Sequence, residues 1–72
     1  MTAAADLDRV VNGDDPDTAL EAVARLRRLL EQLEAEHVAR ARQAGRSWQE
    51  IAARLGVTKQ TVHRKYRGRE EL

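Results

Sequence analysis

Residues 47–68 read SWQEIAARLGVTKQTVHRKYRG, and this stretch carries start and stop signals for two short helices. Ser47 and Glu50 form the S-x-x-E pattern of a capping box, in which the two side chains satisfy backbone N–H groups at the start of a helix. Gly56 predicts the end of this helix about two turns later, because glycine adopts the left-handed backbone of a tight turn at no steric cost. The sequence therefore predicts a helix over residues 48–55.

A second helix is predicted after the turn, from residue 59 to residue 66 or 67. Thr58 is expected to cap it. Val57 and Val62 have the spacing of a hydrophobic staple, in which a residue before the cap packs on one inside the helix. The apolar side of this helix consists of Val62 and Tyr66, one turn apart, so most of its surface is polar.

This pair of helices resembles the helix-turn-helix DNA-binding motif, including the promoter-reading motif of sigma factor region 4. The resemblance covers roughly residues 38–67 and extends to short bacterial helix-turn-helix regulators, which place a long charged helix before the motif. The apolar, small and glycine positions of the motif are occupied here by Ile51, Ala52, Leu55, Gly56, Val57 and Val62. The usual late apolar position falls on Lys65, and we expect Tyr66 beside it to pack instead. The alternative for this stretch is a helical hairpin that binds no nucleic acid.

The resemblance implies that the second helix enters the major groove of DNA. Four residues near its start and middle face outward and are expected to contact base edges: Lys59, Gln60, His63 and Arg64. Arginine can make a two-pronged contact with guanine, and glutamine can make one with adenine. Six further residues are expected to contact the phosphate backbone: Arg46, Arg54, Thr58, Lys65, Arg67 and Arg69. Trp48 is expected to pack in the core on Val38 and Ala41 rather than to stack on a base.

A long helix is predicted before the motif, within residues 14–44. Asp15 can cap this helix, Pro16 suits its first position, and Gly45 is a stop signal. Its apolar residues recur at steps of three and four, the a/d rhythm of a coiled coil. The interface of the predicted dimer consists of Val23, Leu26, Leu30, Leu33 and His37. The alternative is a monomeric hairpin in which residues 3–11 lie on this stripe.

The N-terminal segment, residues 1–13, has apolar residues at helical spacing. It is expected to form a short helix that begins near Thr2 and stops at the turn-favouring dipeptide Asn12-Gly13. The remaining assignments are the helix-turn-helix motif at residues 45–69 and a tail at residues 70–72. The predicted fold class is therefore all-α.

Composition excludes several classes of protein. The 72 residues include no cysteine and only two histidines, which are far apart, so neither disulfides nor a metal site is expected. The N-terminus lacks the basic start and apolar run of a signal peptide, and no stretch approaches the roughly 20 apolar residues of a membrane helix. No catalytic set of nucleophile, base and orienting acid is recognisable. We therefore expect a non-enzymatic, cytoplasmic, nucleoid-associated protein without a cofactor.

Charge is distributed unevenly along the chain. The net side-chain charge is −5 over residues 1–36 and +6 over residues 37–72. A basic half suggests a polyanionic partner, although it can also be an ordinary solvated surface. With the motif, this predicts sequence-specific binding of double-stranded DNA by a transcriptional regulator acting as a homodimer. The alternative is an adaptor that contacts RNA polymerase or a sigma factor, with weak or no DNA binding.

Overall fold

The structure, a computed structural model, describes the backbone of residues 2–70 and the side chains of residues 2–67. Within that range the chain forms four α-helices and no strand, which confirms the predicted all-α class. The helices are α1 (Ala3–Asn12), α2 (Pro16–Gln43), α3 (Trp48–Leu55) and α4 (Lys59–Glu70). The short N-terminal helix, the long helix and the two-helix motif that the sequence predicts are therefore all present.

The boundaries of α1 follow from local hydrogen bonds. Thr2 caps the helix, and its hydroxyl oxygen accepts a hydrogen bond from the backbone N–H of Ala5 at 3.1 Å. At the other end, the N–H of Gly13 donates to the carbonyl oxygen of Arg9 at 3.1 Å. A Cβ atom on Gly13 would collide with that same oxygen, so this close approach of backbone to backbone requires glycine.

The long helix α2 begins and ends as the sequence predicts. The carboxylate of Asp15 accepts hydrogen bonds from the backbone N–H groups of Asp17 and Thr18. At the C-terminus, Gly45 adopts a positive φ of 86°. Its N–H donates to the carbonyl of Arg42, and the N–H of Arg46 donates to the carbonyl of Ala41, both at 3.0 Å. This pair of bonds is a Schellman motif, which satisfies carbonyl groups that the helix itself leaves unpaired.

Both reciprocal bonds of the predicted capping box are present at the start of α3. The N–H of Glu50 donates to the Ser47 hydroxyl at 3.1 Å, and the N–H of Ser47 donates to the Glu50 carboxylate at 3.0 Å. Gly56 then ends α3 with a φ of 75°. Thr58 caps α4 by accepting a hydrogen bond from the N–H of Thr61 at 3.2 Å.

The predicted C-terminus of α4, at residue 66 or 67, is wrong. The helix continues through Gly68 to Glu70. A single glycine costs only about 1 kcal/mol relative to alanine inside a helix, so it need not end one. The exposed polar side of α4 therefore lies on a helix of 12 residues rather than of eight or nine.

The chain divides into two compact units, and the boundary falls inside α2, between residues 33 and 34. The second unit contains the apolar core, which consists of Val38, Trp48, Ile51, Ala52, Val62 and Tyr66, with Ala35 and Ala41 packed against it. Trp48 is thus a core residue in contact with the Val38 cluster, as the sequence predicts. This core joins the C-terminal half of α2, α3 and α4 into one unit.

The first unit has almost no buried interior. Among residues 2–33, only Ala22 and Asp6 are buried. The Asp6 carboxylate accepts a hydrogen bond from Nε of Arg25 at 3.0 Å and lies 2.8 Å from its Nη2 atom. On the predicted a/d stripe of α2, Leu30 and Leu33 remain 64% and 40% exposed. A single chain therefore leaves much of that stripe in contact with water.

Candidate nucleic-acid interface

The helix α4 has one narrow buried side and a wide exposed side. Val62 and Tyr66, one turn apart, are only 2% and 3% exposed and anchor the helix on the core. The four predicted base-contact residues are exposed on α4: Lys59, Gln60, His63 and Arg64. Since Val62 and Tyr66 take up the buried side, these side chains occupy surface that is available to a ligand.

Trp48 connects α4 with the two other helices of the second unit. Its ring lies in the core, and the ring of His63 approaches it with a centroid distance of 5.5 Å and an interplanar angle of 59°. The guanidinium carbon of Arg42, on α2, lies 4.6 Å from the centroid of the same Trp48 ring, which is within the range of a cation–π interaction. His63 is therefore exposed to solvent, while its ring also contacts the core residue Trp48.

Glu34 links the start of the second unit to the far end of α4. Its carboxylate accepts a hydrogen bond from the Tyr66 hydroxyl, and the ammonium group of Lys65 lies 3.2 Å from the same oxygen. These two contacts, that of Tyr66 first, hold the pKa of the Glu34 carboxyl below its ordinary value. Burial, followed by the bond to Glu34, raises the pKa of the Tyr66 phenol. At neutral pH, Glu34 is therefore a charged carboxylate that is bound by the neutral Tyr66 phenol and the Lys65 ammonium ion.

The predicted phosphate contacts lie on α4 itself and on the segments that precede it. Arg46 is exposed just before α3, and Arg54 is exposed in the last turn of α3. Hydrogen bonds with Ser47, followed by these two positive charges, lower the pKa of the Glu50 carboxyl. Arg67 is exposed on α4. Thr58 is exposed as well, although its hydroxyl also serves as the cap of α4. The Arg69 side chain lies outside the described residues.

Lys65 differs from the other predicted phosphate contacts. Its pKa is raised above the ordinary value by the hydrogen bond to Glu34, so the ammonium group stays charged and carries its own counterion. A phosphate would have to compete with that carboxylate for Lys65. We therefore expect Lys65 to contribute less to phosphate binding than Arg67 does.

A cleft of about 320 Å³ lies beside Trp48 and Tyr66, and Val38 and Arg42 also line it. Its volume is at the lower limit of small-molecule sites, and its walls belong to the core that supports α4.

Within residues 2–67 no group of three or more His, Asp or Glu side chains is arranged to hold a metal ion. In the same part of the chain, no helix is long and apolar enough to cross a membrane.

Two supporting residues were missed by the sequence analysis. Glu34 has no local signal, because its partners are 31 and 32 positions away and α2 carries several other glutamates. Arg42 likewise looks like one of many surface arginines until α3 places Trp48 beneath it. These contacts form because α3 and α4 fold back on α2. The spacing of residues in the sequence does not predict them.

Comparison with known proteins gives one result. A family model described as a homeodomain-like domain matches residues 22–71, which include most of α2 and all of the two-helix motif. No curated protein and no solved structure gives a significant match to the chain.

Proposed function

The chain belongs to the homeodomain-like domain family, a helix-turn-helix DNA-binding family, and from this membership we propose that it binds double-stranded DNA sequence-specifically through α4. The observation that carries the proposal is the division of α4 into an anchored side and a polar side. Val62 and Tyr66 hold the helix on the core, so the exposed residues on its other side can enter a groove. Members of the family are typically not enzymes, and the proposal assigns these polar side chains to binding alone.

Base recognition is assigned to the exposed residues in the first two turns of α4. Arg64 can donate two hydrogen bonds to guanine, and Gln60 can both donate to and accept from adenine. Lys59 lies at the N-terminus of the helix, which is the end that enters the major groove in helix-turn-helix complexes. The Trp48 ring limits the directions in which His63 can point, which favours contact with one base pair rather than several.

Phosphate contacts position the helix in the groove without reading the sequence. We assign this role to Arg46 and Arg54 on the α3 side and to Arg67 on the α4 side. Thr58, Lys65 and Arg69 complete the set. Arg46 precedes α3, Arg54 lies on α3 and Arg67 lies on α4, so the phosphate contacts would come from more than one element of the motif. Salt dependence of binding is the expected consequence.

We assign the role of transcriptional regulator to a homodimer that forms through Val23, Leu26, Leu30, Leu33 and His37 on α2. A two-fold dimer supplies two reading helices, and its half-sites would lie about 34 Å apart, one turn of DNA, or a multiple of that distance. In this proposal, residues 14–44 form the dimer and residues 45–69 bind DNA. Residues 1–13 precede these two regions. The predicted tail at residues 70–72 begins at the last residue of α4, and residues 71–72 lie outside the described part of the chain.

Selection of bound sequences from a pool of random double-stranded DNA tests the proposed function. The expected result is an enriched motif whose preference at one base pair disappears in Arg64→Ala. Failure to enrich any motif, with binding that is equally weak to all sequences, would contradict sequence-specific regulation. In that case an adaptor that contacts a protein of the transcription machinery through its acidic N-terminal half becomes the better explanation.

A further inference from the structure

The helix α1 turns its polar side toward α2 and its apolar side toward solvent. Asp6 is buried and bonded to Arg25, and Arg9 beside it is half-buried. In contrast, Leu7 and Val11 are 55% and 68% exposed. This is the reverse of what a helix packed for its own stability would do, because the apolar side is the one that gains from burial.

Exposed apolar side chains are concentrated in the first unit. Nine large apolar side chains are exposed in the described part of the chain, and only two of them, Leu55 and Val57, lie in the second unit. The other seven belong to α1 and the first two-thirds of α2: Leu7, Val10, Val11, Leu20, Leu29, Leu30 and Leu33. A unit whose buried residues are one alanine and one aspartate has no core of its own.

We propose that α1 and α2 together form one surface that binds a second copy of this chain, with the two α2 helices antiparallel and both α1 helices on the same side of the pair. This inference rests on the dimer proposed above and adds to it the participation of α1 and the relative direction of the chains.

The size of the surface agrees with a self-associating interface. Seven partly exposed side chains of this size present on the order of 400 Å² of apolar surface per copy. A stable interface buries about 800 Å² per partner, of which somewhat more than half is apolar. Residues 1–33 contain seven acidic and four basic residues, so this surface is unsuited to nucleic acid or to an anionic membrane.

The position of α1 on α2 favours the antiparallel direction. Its ion pair places α1 along the side of α2 that carries Arg25 and the fully buried Ala22. Leu29, seven residues after Ala22, lies on the same flank of the a/d stripe. In an antiparallel pair the two-fold axis crosses the helices at right angles, so each flank faces the same flank of the partner. Both α1 helices then cover the flank where Leu29 meets the partner's Leu29.

One register pairs all four apolar positions of the stripe. It places Leu26 against the partner's Leu30 and Val23 against the partner's Leu33, with the axis at the level of residue 28. A parallel pair would put the two α1 helices on opposite sides and leave Leu7 and Val11 in water. On the flank away from α1, the antiparallel register brings the two Arg27 side chains near each other, where they remain in solvent and are screened by salt.

Cross-linking of single-cysteine variants tests the direction, and the chain has no cysteine to interfere. Leu29→Cys should be joined into a covalent dimer by a short bifunctional maleimide. Its matched control is Glu36→Cys, one heptad further on the same flank, where the two thiols would be about 24 Å apart along the helix and should not be joined. Equal cross-linking of both variants indicates a parallel pair and overturns the inference.

Sedimentation of the full chain without DNA tests the participation of α1. Val11→Asp should raise the dissociation constant of the dimer at least tenfold. Val57→Asp, which changes a valine 45% exposed outside the surface, should leave it unchanged. An unmodified chain that is monomeric at tens of micromolar, or a Val11→Asp chain that dimerises normally and keeps its helical circular dichroism, overturns the inference. Neither result bears on DNA binding by α4, which is measured separately.

Discussion

Arg64 and Arg67 are both exposed arginines on α4, but their proposed roles in DNA binding differ. Arg64 is assigned to a base, so Arg64→Ala should cost about 1–3 kcal/mol on the best site and blur preference at one base pair. Arg67 is assigned to a phosphate, so Arg67→Ala should weaken binding to all sequences alike and reduce the salt slope by about 1. Titration of each variant with the selected site and with a scrambled site separates the two effects. Identical behaviour would show that α4 is wrongly oriented in the groove.

The hydrogen bond that the Tyr66 hydroxyl donates to the Glu34 carboxylate is expected to stabilise the second unit. Removing that hydroxyl in Tyr66→Phe keeps the buried ring and should lower the free energy of unfolding by about 1 kcal/mol at neutral pH. Because the folded-state pKa of Glu34 is lowered, this contribution is complete above the ordinary value of 4.5 and is lost as the pH falls through the lowered pKa. The loss caused by Tyr66→Phe should therefore shrink in acid.

Urea unfolding followed by circular dichroism between pH 7 and pH 3 measures this dependence. Lys65→Gln is the comparison variant, since it removes the exposed partner of Glu34 and should cost less than 1 kcal/mol, as surface ion pairs do. A Tyr66→Phe effect of constant size down to pH 3 would mean that the hydroxyl stabilises the fold independently of Glu34.

The turn between α3 and α4 depends on the backbone of Gly56. Its φ is 75°, and a Cβ atom added there would meet no atom within 4 Å, so the cost of a side chain is conformational rather than steric. Gly56→Ala should therefore destabilise the chain by about 1–2 kcal/mol. Gly56→Asn should cost less, because asparagine tolerates the left-handed region better than alanine does. Thermal unfolding of the three proteins gives the order, and an alanine variant as stable as the unmodified chain would show that the turn has another conformation.

The uneven charge of the chain governs its behaviour as a whole toward DNA. If four to six phosphates are contacted per chain, a plot of log affinity against log salt concentration should have a slope of roughly −4 to −5 for one chain and about twice that for a dimer. Leu30→Glu, which places a charge in the proposed dimer interface, should return the steeper slope to the single-chain value. A slope near zero in the unmodified protein would contradict the proposal that the basic half binds phosphates.

The sequence alone predicts the helices and the motif of this protein, because the signals are local. Ser47, Gly56, Thr58 and Pro16 act within a turn or two of chain, and their spacing requires no knowledge of what lies across the fold. The one boundary that was wrong, at the end of α4, lies where Gly68 gives only a weak preference against helix. The candidate base contacts could be named for the same reason, since the buried side of α4 is set by the spacing of Val62 and Tyr66.

The tertiary structure alone shows which side chains support α4 and which surfaces stay open. Glu34 becomes the partner of Tyr66, and Trp48 the support of His63, only when helices far apart in sequence meet in space. The spacing of apolar residues in α1 also does not predict that Asp6 faces α2. An amphipathic pattern predicts that the apolar side of the helix faces inward and the polar side faces solvent. Local sequence specifies where a helix starts and stops, whereas the direction of its faces follows from the packing of all the helices together.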